Sequence, residues 1–461
     1  MNPDTAKTTE CPFCLETIKA GARKCKHCGE FLTPLAPSAP APPSLVAALP
    51  GMMAPGPGTP VAVEAWQALD LLTHLVDKNL VVYEQNENGQ GRYRLLETVR
   101  QYAYDRLLEK SGESEAIRNS HRDFFLTLAE EAQSRLYGPE QASWLDRLET
   151  EHDNLRAALE GCRSGDHEEG GQAGLRLVGS LATFWDVRGY NREGRAWSAA
   201  ALSHPEAQEP SRTRANALRG AGVLAYWQGD LEEARRYFED GLRMAQAHHD
   251  PPCEATCYNC LGLVANVRQD YPRARRLLTE SLRVNRASGN RDWEACNLSN
   301  LGEVARGEGD YDSATGYYNE SVALYRATGD ALGVAMVLHN LAEVATLRQD
   351  YDTARTYLRE SLPLSQALGA KAYICQSLET FALLAYSQQQ GERAVRLYGA
   401  SDALLQTIGA CLEQPAVAQR DHILPQLRAL LGDDRFEAAW TDGRAFSWDE
   451  ALAYALSESP N

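Results

Sequence analysis

The sequence predicts a mainly α fold, an α-solenoid of about six helical hairpins preceded by a small four-cysteine module. Three observations support this prediction. Residue types recur every 40 positions through the second half of the chain. Within each 40-residue segment, apolar residues recur at the three- and four-residue spacing of an amphipathic helix. Four of the eleven cysteines fall in the first 30 residues as two Cys-x2-Cys pairs.

Composition and charge exclude several classes of protein. The 461 residues are 44% hydrophobic and 24% charged, as in soluble globular proteins. The net charge of −17 disfavours non-specific binding to nucleic acid or an anionic membrane. No stretch approaches 18 apolar residues, so no membrane-spanning helix is predicted. Because Met1–Glu10 lacks the apolar segment of a secretory signal, we expect a cytoplasmic protein whose cysteines are metal ligands or buried thiols.

The first 30 residues predict a structural zinc site. Two cysteine pairs ten residues apart supply four thiolates, the number that a tetrahedral zinc ion needs, and they are Cys11, Cys14, Cys25 and Cys28. So short a segment has too small a core to fold alone, so zinc binding would supply its folding free energy. It resembles short bacterial zinc ribbons, with which it shares Ile18, Lys19, Lys24, Lys26 and Gly29. Since all four positions are cysteines, no open coordination position remains for catalysis.

Two other interpretations of this module stay open. The cysteine pairs could be redox-active, although no thioredoxin-like βαβ pattern surrounds them. The basic cluster of Arg23, Lys24 and Lys26 could contact nucleic acid or an acidic partner, or it could be a solvated face that offsets the zinc–thiolate charge.

Residues 31–110 predict a linker and a small mixed module. Proline disfavours helix in the residue before it, so the proline-rich residues 31–61 should be extended and mobile. Residues 62–110 predict helix, strand, strand and helix, with a turn at Asn86–Gly91. Residues 61–110 carry six Lys or Arg against eight Asp or Glu, which favours a docking role over DNA contact. A helical connector is expected over residues 111–170.

The 40-residue period lies between residues 171 and 410 and marks a repeat architecture. An aspartate between the two helices of a hairpin can cap the second helix, and the candidates are Asp230, Asp270, Asp310 and Asp350. With Glu233, the first of them predicts a capping box. Glycines predict left-handed C-terminal caps at Gly289, Gly329, Gly369 and Gly409. One hairpin cannot bury its apolar stripe alone, so stacked neighbours should form a solenoid.

These segments resemble tetratricopeptide repeats. The spacing Trp-x2-Leu-Gly-x2-Tyr, then Ala-x3-Phe, is matched by Leu298-x2-Leu301-Gly302-x2-Ala305 and Ala314-x3-Tyr318. The period is 40 rather than about 34, and the terminal proline is missing. This departure is similar to the repeat arrays of large bacterial signalling ATPases, such as the maltose-regulon activator family.

Further blocks extend the second resemblance to about residues 64–461. Three blocks are similar to the segment that links the ATPase to the repeats in that family: Leu71–Val82, Tyr93–Ala103 and Trp144–Leu159. They imply a winged helix over residues 62–110, partial because it begins near its last helix. Similarity of Phe436–Trp440 to the family's C-terminal end supports a helical cap over residues 411–461. ATPase activity is not implied, because the chain has no Gly-Lys pair and so no phosphate-binding loop.

The predicted function is that of a non-enzymatic scaffold or signalling protein that binds a protein or peptide, with nucleic acid and membrane disfavoured as partners. In tetratricopeptide arrays the first helices line the concave face. The resemblance therefore places six partner-binding candidates there: Asn259, Glu303, Arg306, His339, Glu343 and Tyr386.

Alternative interpretations remain beside this one. The chain could be a transcriptional regulator that contacts DNA through the zinc ribbon or winged helix, a degenerate nucleotide-dependent switch, or a fragment of a larger regulator that sequesters its partners. Cys253, Cys257 and Cys260 match the spacing of a radical-enzyme iron–sulfur signature. They fall at i, i+4 and i+7 on a repeat helix, so we expect small packing residues instead.

Overall fold

The computed structural model describes residues 8–10, 17–19, 65–85, 91–109, 111–163, 170–412 and 414–457. The chain divides into two compact units, Met1–Asp123 and Phe124–Asn461. The predicted linker, residues 31–61, and the four predicted zinc ligands, Cys11, Cys14, Cys25 and Cys28, lie outside the described residues.

Two short strands flank the first cysteine pair in the sequence. Strand β1 (Thr8–Glu10) pairs with strand β2 (Thr17–Lys19) in the antiparallel direction, with Glu10 opposite Thr17. The segment between them in the chain includes Cys11 and Cys14.

The next elements follow the predicted order of helix, strand, strand and helix. They are α1 (Ala65–Asp77), β3 (Val81–Gln85), β4 (Gly91–Leu95) and α2 (Glu97–Leu108). Tyr83 and Tyr93 lie opposite each other on the hairpin, with ring centroids 5.2 Å apart. Within the described side chains of this module only Val81 is buried. Many large apolar side chains are exposed, namely Leu69, Leu71, Leu80, Val82, Tyr83, Tyr93, Leu95, Leu96, Tyr102 and Tyr104.

Three helices precede the repeats: α3 (Ser111–Arg135), α4 (Gln141–Thr150) and α5 (His152–Arg163). Helices α4 and α5 are amphipathic, and their buried faces include Leu145, Leu148 and Leu155. These side chains belong to one hydrophobic cluster with the first repeat helix, so the connector packs onto the solenoid.

Six helical hairpins follow between Gly170 and Ile408, a range that is described throughout. Their helices are α6 (Gly170–Arg188) and α7 (Asn191–Ser203), α8 (Arg212–Trp227) and α9 (Leu231–Ala247), α10 (Pro251–Val267) and α11 (Tyr271–Ser288), α12 (Arg291–Gly307) and α13 (Tyr311–Thr328), α14 (Ala331–Leu347) and α15 (Tyr351–Ala367), and α16 (Lys371–Ser387) and α17 (Gly391–Ile408). A 3-10 turn, Pro205–Ala207, joins the first two hairpins. The number of hairpins agrees with the 40-residue period.

The predicted helix caps are confirmed, with one correction. Side chains of the aspartates between helices accept hydrogen bonds from backbone N–H groups three residues later, at Glu233, Arg273, Ser313 and Thr353. The predicted glycines have positive φ angles of 60° to 77°. The capping box at Asp230 is wrong, because the Glu233 carboxylate pairs with Arg195 of the preceding hairpin.

Close packing inside each hairpin depends on two repeated small residues. An alanine near the start of the second helix has no exposed surface in five of the six hairpins, and these residues are Ala234, Ala274, Ala314, Ala354 and Ala394. A buried serine later in the second helix donates to a carbonyl oxygen of the first helix 26 residues earlier. These bonds are Ser281 to Ala255 (2.6 Å), Ser321 to Ala295 (2.7 Å), Ser361 to Ala335 (2.7 Å) and Ser401 to Cys375 (3.4 Å).

The solenoid curls until residues far apart in the chain meet along a line that we call the seam. The Cys411 backbone N–H donates to the Trp227 carbonyl oxygen at 3.1 Å. The Gln141 side chain donates to Asp330 at 3.2 Å and accepts from the Leu332 backbone at 3.1 Å. Contacts along the seam join residues 183 to 191 positions apart, so between four and five hairpins complete a superhelical turn.

Three helices end the described chain: α18 (Gln414–Leu431), α19 (Asp433–Arg444) and α20 (Trp448–Leu456). Phe436 and Leu452 are buried in the same hydrophobic cluster as Tyr398 of the last hairpin. The final repeat therefore has its apolar face covered, as a terminal repeat of a solenoid requires.

The serine bonds lead to a stability prediction. Replacing Ser321 with alanine removes a buried hydrogen bond between α13 and α12, and should lower the free energy of unfolding by about 1 kcal/mol. Urea unfolding followed by circular dichroism measures this difference. Ser134 of α3 is exposed and bonds only within its own helix, so Ser134→Ala is the matched control and should change stability by less than about 0.5 kcal/mol. Equal losses in the two variants would contradict the proposed helix-to-helix role.

Candidate functional site

The curled solenoid surrounds a central cavity of about 270 Å³ that is partly open to solvent. Its walls come from the first helices of all six hairpins, together with α18 and the segment after α3. Five of the six partner-binding candidates line it: Asn259, Glu303, Arg306, His339 and Glu343. Tyr386 is placed elsewhere, where its hydroxyl donates to Gln426 of α18 at 2.6 Å. Helix α18 therefore lies beside Tyr386, where the repeat register would place a ligand.

One position per hairpin forms a row of polar side chains along the cavity. Residues 40 apart fill it, and all five line the cavity: Arg219, Asn259, Ser299, His339 and Glu379. We call this set the inner polar row. The sequence predicts only two of its members as partner-binding residues, Asn259 and His339. The other three could have been found from the same period, since the position is polar in every copy from the second hairpin onward.

Arg306 is the most constrained charge in the cavity wall. Its guanidinium donates to Glu303 at 2.6 Å within α12 and to Glu343 of α14 at 2.5 Å. The Tyr318 hydroxyl donates to the other Glu303 oxygen at 3.0 Å. Burial alone would lower the pKa of Arg306, but Glu303 and Glu343 outweigh it and raise that pKa. Two carboxylates therefore pair with one guanidinium, and the bridge joins neighbouring repeats.

Asn259 is committed to packing between repeats. Its carbonyl oxygen accepts from Asn297 at 2.6 Å and from Asn300 at 2.9 Å. Ser281 and Asn285 of α11 continue this buried network. A side chain whose acceptor already has two donors fixes the stacking of α10 on α12 and has little acceptor capacity left for a ligand.

His339 is held neutral by its surroundings. Burial lowers its pKa to about 4, and the nearby charges of Glu303 and Arg306 act in opposite directions. Its Nδ1 lies 3.4 Å from the Thr380 hydroxyl. The prediction that His339 is a polar lining residue agrees with this placement.

Several buried polar atoms of the cavity wall have no hydrogen-bond partner in the described chain. They are Asp186 Oδ1, Asn266 Oδ1, Ser299 Oγ, Arg306 Nε and Glu379 Oε1. Ser299 is 1% exposed and Glu379 is 8% exposed, so bulk water reaches neither side chain freely. Because an unpaired buried polar group costs roughly 1–3 kcal/mol, native structures keep few of them. Five such atoms around one cavity would each gain a partner from water or from polar ligand atoms in that cavity.

Carboxylates dominate the charge of the cavity wall. Asp186, Glu303, Asp330, Glu343 and Glu379 face two guanidinium groups, those of Arg219 and Arg306. Burial raises the pKa of Asp186 to about 7. Burial likewise raises the pKa of Glu379 to about 7, although the Arg420 guanidinium 3.6 Å away opposes the rise. Both carboxyls are poorly solvated in their charged form.

The cysteines of the repeats behave as packing residues. Cys257 and Cys260 are buried, Cys253 is partly buried, and none forms a disulfide. Burial raises the pKa of Cys260 to about 12 and that of Cys296 to about 11, so both thiols stay protonated at neutral pH. In the described part of the chain no group of three or more His, Cys, Asp or Glu side chains could hold a metal ion. No described helix is long and apolar enough to cross a bilayer.

Sequence families match both parts of the chain. Residues 253–327, and residues 214–251 with 334–368, match families described as "Tetratricopeptide repeat". Residues 61–108 match a family described as "Winged helix-turn-helix domain". The chain therefore carries tetratricopeptide repeats and a winged helix-turn-helix domain, as the sequence analysis predicted.

Curated relatives share part of this organisation. Two proteins, named "Putative HTH-type transcriptional regulator Rv0890c" in Mycobacterium tuberculosis and "Putative HTH-type transcriptional regulator Mb0914c" in Mycobacterium bovis, are 37% identical over 168 residues. The match covers 36% of this chain and 18% of theirs. The chain thus spans less than a fifth of these regulators.

Two solved structures show a partial likeness to this chain. A Rap protein complexed with competence and sporulation factor is 13% identical, with a TM-score of 0.48 over 74% of this chain and 97% of that chain. PilF of Pseudomonas aeruginosa is 21% identical, with a TM-score of 0.33 over 56% of this chain and 96% of that one. At these identities the likeness concerns the fold alone.

The buried carboxyl of Glu379 predicts a specific pH dependence. A carboxyl whose pKa is higher in the folded chain than in the unfolded chain binds its proton more tightly when folded. Its contribution to the free energy of unfolding is therefore full below the unfolded pKa and is lost as the pH rises through the folded pKa. For Glu379 this window runs from pH 4.5 to about 7. The free energy of unfolding of Glu379→Gln, measured relative to that of the parent, should therefore be roughly 2 kcal/mol higher at pH 8 than at pH 5.

Urea unfolding at pH 5 and pH 8 measures this difference. Glu360→Gln is the matched control, because Glu360 lies on the exposed outer surface in an ion pair with Arg326. The control should show the same difference from the parent at both pH values. If the stability difference between Glu379→Gln and the parent is also the same at both pH values, Glu379 is not a buried carboxyl with a raised pKa.

Proposed function

We propose that the chain is a regulatory protein without catalytic activity of its own, whose tetratricopeptide repeats hold a peptide segment of a partner in the central cavity. The unpartnered polar atoms of the cavity wall carry this proposal. The inner polar row supplies a polar side chain from each of five successive hairpins, a spacing that suits an extended ligand along the superhelix axis. Each unpaired atom gains a partner when the cavity is filled, which offsets its desolvation cost.

Photo-crosslinking from inside the cavity tests this proposal. A benzophenone amino acid in place of Met336, which lines the cavity, should capture a partner peptide from cell extract. The same amino acid in place of Leu263, on a different wall of the cavity, should capture the same peptide. In place of Glu360, on the outer surface, it should not. Capture that is equal at Glu360, or absent from both inner positions, would contradict binding in the cavity.

A second candidate function is DNA-binding transcriptional regulation. The winged helix-turn-helix match over residues 61–108 and the names of the relatives favour it. The acidic balance of that module and its exposed apolar residues favour a docking role instead. A gel shift with duplex DNA that weakens steeply between 50 and 200 mM salt, an interval over which phosphate-binding proteins lose affinity strongly, would support DNA contact.

We also propose that Cys11, Cys14, Cys25 and Cys28 hold one structural zinc ion. Strands β1 and β2 support this proposal, because they pair with each other and stand directly before and shortly after the first cysteine pair in the sequence. Four thiolates would bind zinc tightly and leave no position for substrate. Free thiols throughout the described repeats also suit the reducing, cytoplasmic compartment that we propose for the chain.

Elemental analysis of the purified protein tests the metal site. The parent should contain one zinc per chain, and Cys25→Ser should lose most of it. Cys411→Ser, which changes an exposed thiol far along the chain, should keep the parent's zinc content. Zinc content below one tenth of an equivalent in the parent would contradict the assignment.

A further inference from the structure

The cavity wall has more hydrogen-bond acceptors than donors left to satisfy. Asp186 Oδ1, Asn266 Oδ1 and Glu379 Oε1 are buried acceptors without a donor in the described chain. Among the described lining residues Arg306 Nε is the one unpaired donor, and the Ser299 hydroxyl can act in either role. Arg420 Nη1, 3.6 Å from Glu379 Oε1, is a further unpaired donor outside the lining. A ligand that completes this site must bring more N–H or O–H groups than lone pairs.

The charged groups of the wall also favour a ligand that donates hydrogen bonds. Arg306 is already bonded to two carboxylates, and Arg219 donates to Asn216 at 2.9 Å and 3.2 Å. Arg420 approaches Glu379 no closer than 3.6 Å, which is too long for a hydrogen bond. An anionic ligand would meet five carboxyl groups and two guanidinium groups, and any charged carboxylate would repel it more strongly here than in water.

Aromatic rings complete the surroundings. Trp227 and Tyr373 meet edge to face, with ring centroids 5.7 Å apart, and both line the cavity together with Trp293. Faces of tryptophan and tyrosine attract cations, most strongly where water is excluded. Carboxylates and aromatic rings together form a setting that suits an ammonium or guanidinium group.

We propose that the cavity recognises a cationic nitrogen group, an ammonium or guanidinium, which donates to Asp186 and Glu379 from inside the superhelix. This inference rests on the proposed function and names the chemistry of its ligand. The cavity volume of about 270 Å³ lies near the lower end of the roughly 300–1,000 Å³ typical of ligand sites, so one basic side chain with its flanking backbone is a suitable size.

Calorimetry with the full-length chain tests the proposal. The probes are acetyl-Gly-Arg-Gly-amide, the same peptide with lysine, and the same peptide with citrulline, an uncharged group of nearly the same shape as arginine. A fourth probe, agmatine, carries the guanidinium without a peptide backbone. The arginine or lysine peptide should bind at least tenfold more tightly than the citrulline peptide, since a charge-assisted hydrogen bond is about twice as strong as a neutral one.

Variants assign the effect to the cavity. Glu379→Gln and Asp186→Asn should each weaken binding of the basic peptide at least tenfold and leave the citrulline peptide unchanged. Asp352→Asn, at a position 97% exposed on the outer surface, should bind as the parent does. Should one cavity variant fail to fold, as circular dichroism would reveal, the other provides the comparison.

The outcomes separate this inference from the proposed function. Equal binding of the arginine and citrulline peptides, or no binding of any basic probe, overturns the cation assignment, while capture from Met336 would still support a peptide partner. Binding of agmatine without binding of either basic peptide supports the cation assignment and contradicts the peptide partner.

Discussion

The close approach of the two helices in each hairpin is the constraint on which the repeat unit depends. A fully buried alanine and a serine bonded to the opposing helix recur at fixed positions, so successive hairpins have nearly the same internal geometry. Because each hairpin then stacks on the next with a similar rotation, small angles add along the chain. The curvature that results brings the first and last hairpins together.

Closure of the superhelix changes the environment of the residues on the concave face. In an open solenoid the first helices would present a solvated groove, and polar residues there would need no partner. Here the seam places the same residues around a central space that is only partly open to solvent, where Arg306 pairs with two carboxylates and Glu379 Oε1 has no hydrogen-bond donor in the described chain. A buried carboxylate that lowers stability is a common feature of ligand sites, since the ligand restores the lost interaction.

Much of the repeat architecture could be predicted from the sequence, because each signal acts within one repeat. The aspartate caps, the glycine C-caps and the 40-residue period concern residues no more than 40 apart, and the geometry of the caps follows from local chemistry. Five of the six residues that the register predicts for the concave face line the cavity. The seam could not be predicted, because it depends on a summed rotation over nearly 190 residues that no local pattern encodes. The register also predicts Tyr386 on the ligand face, because the repeat pattern does not show that the non-repeat helix α18 packs beside it.

Amide hydrogen exchange at Cys411 tests the closed superhelix most directly. Its N–H follows the end of α17 and bonds to the Trp227 carbonyl oxygen across the seam, 3.1 Å away. If the superhelix is closed in solution, this amide should exchange at least tenfold more slowly than an unstructured amide of the same sequence. Exchange at the unprotected rate, with the flanking helices still protected, would show that the ends are apart and that no enclosed cavity exists.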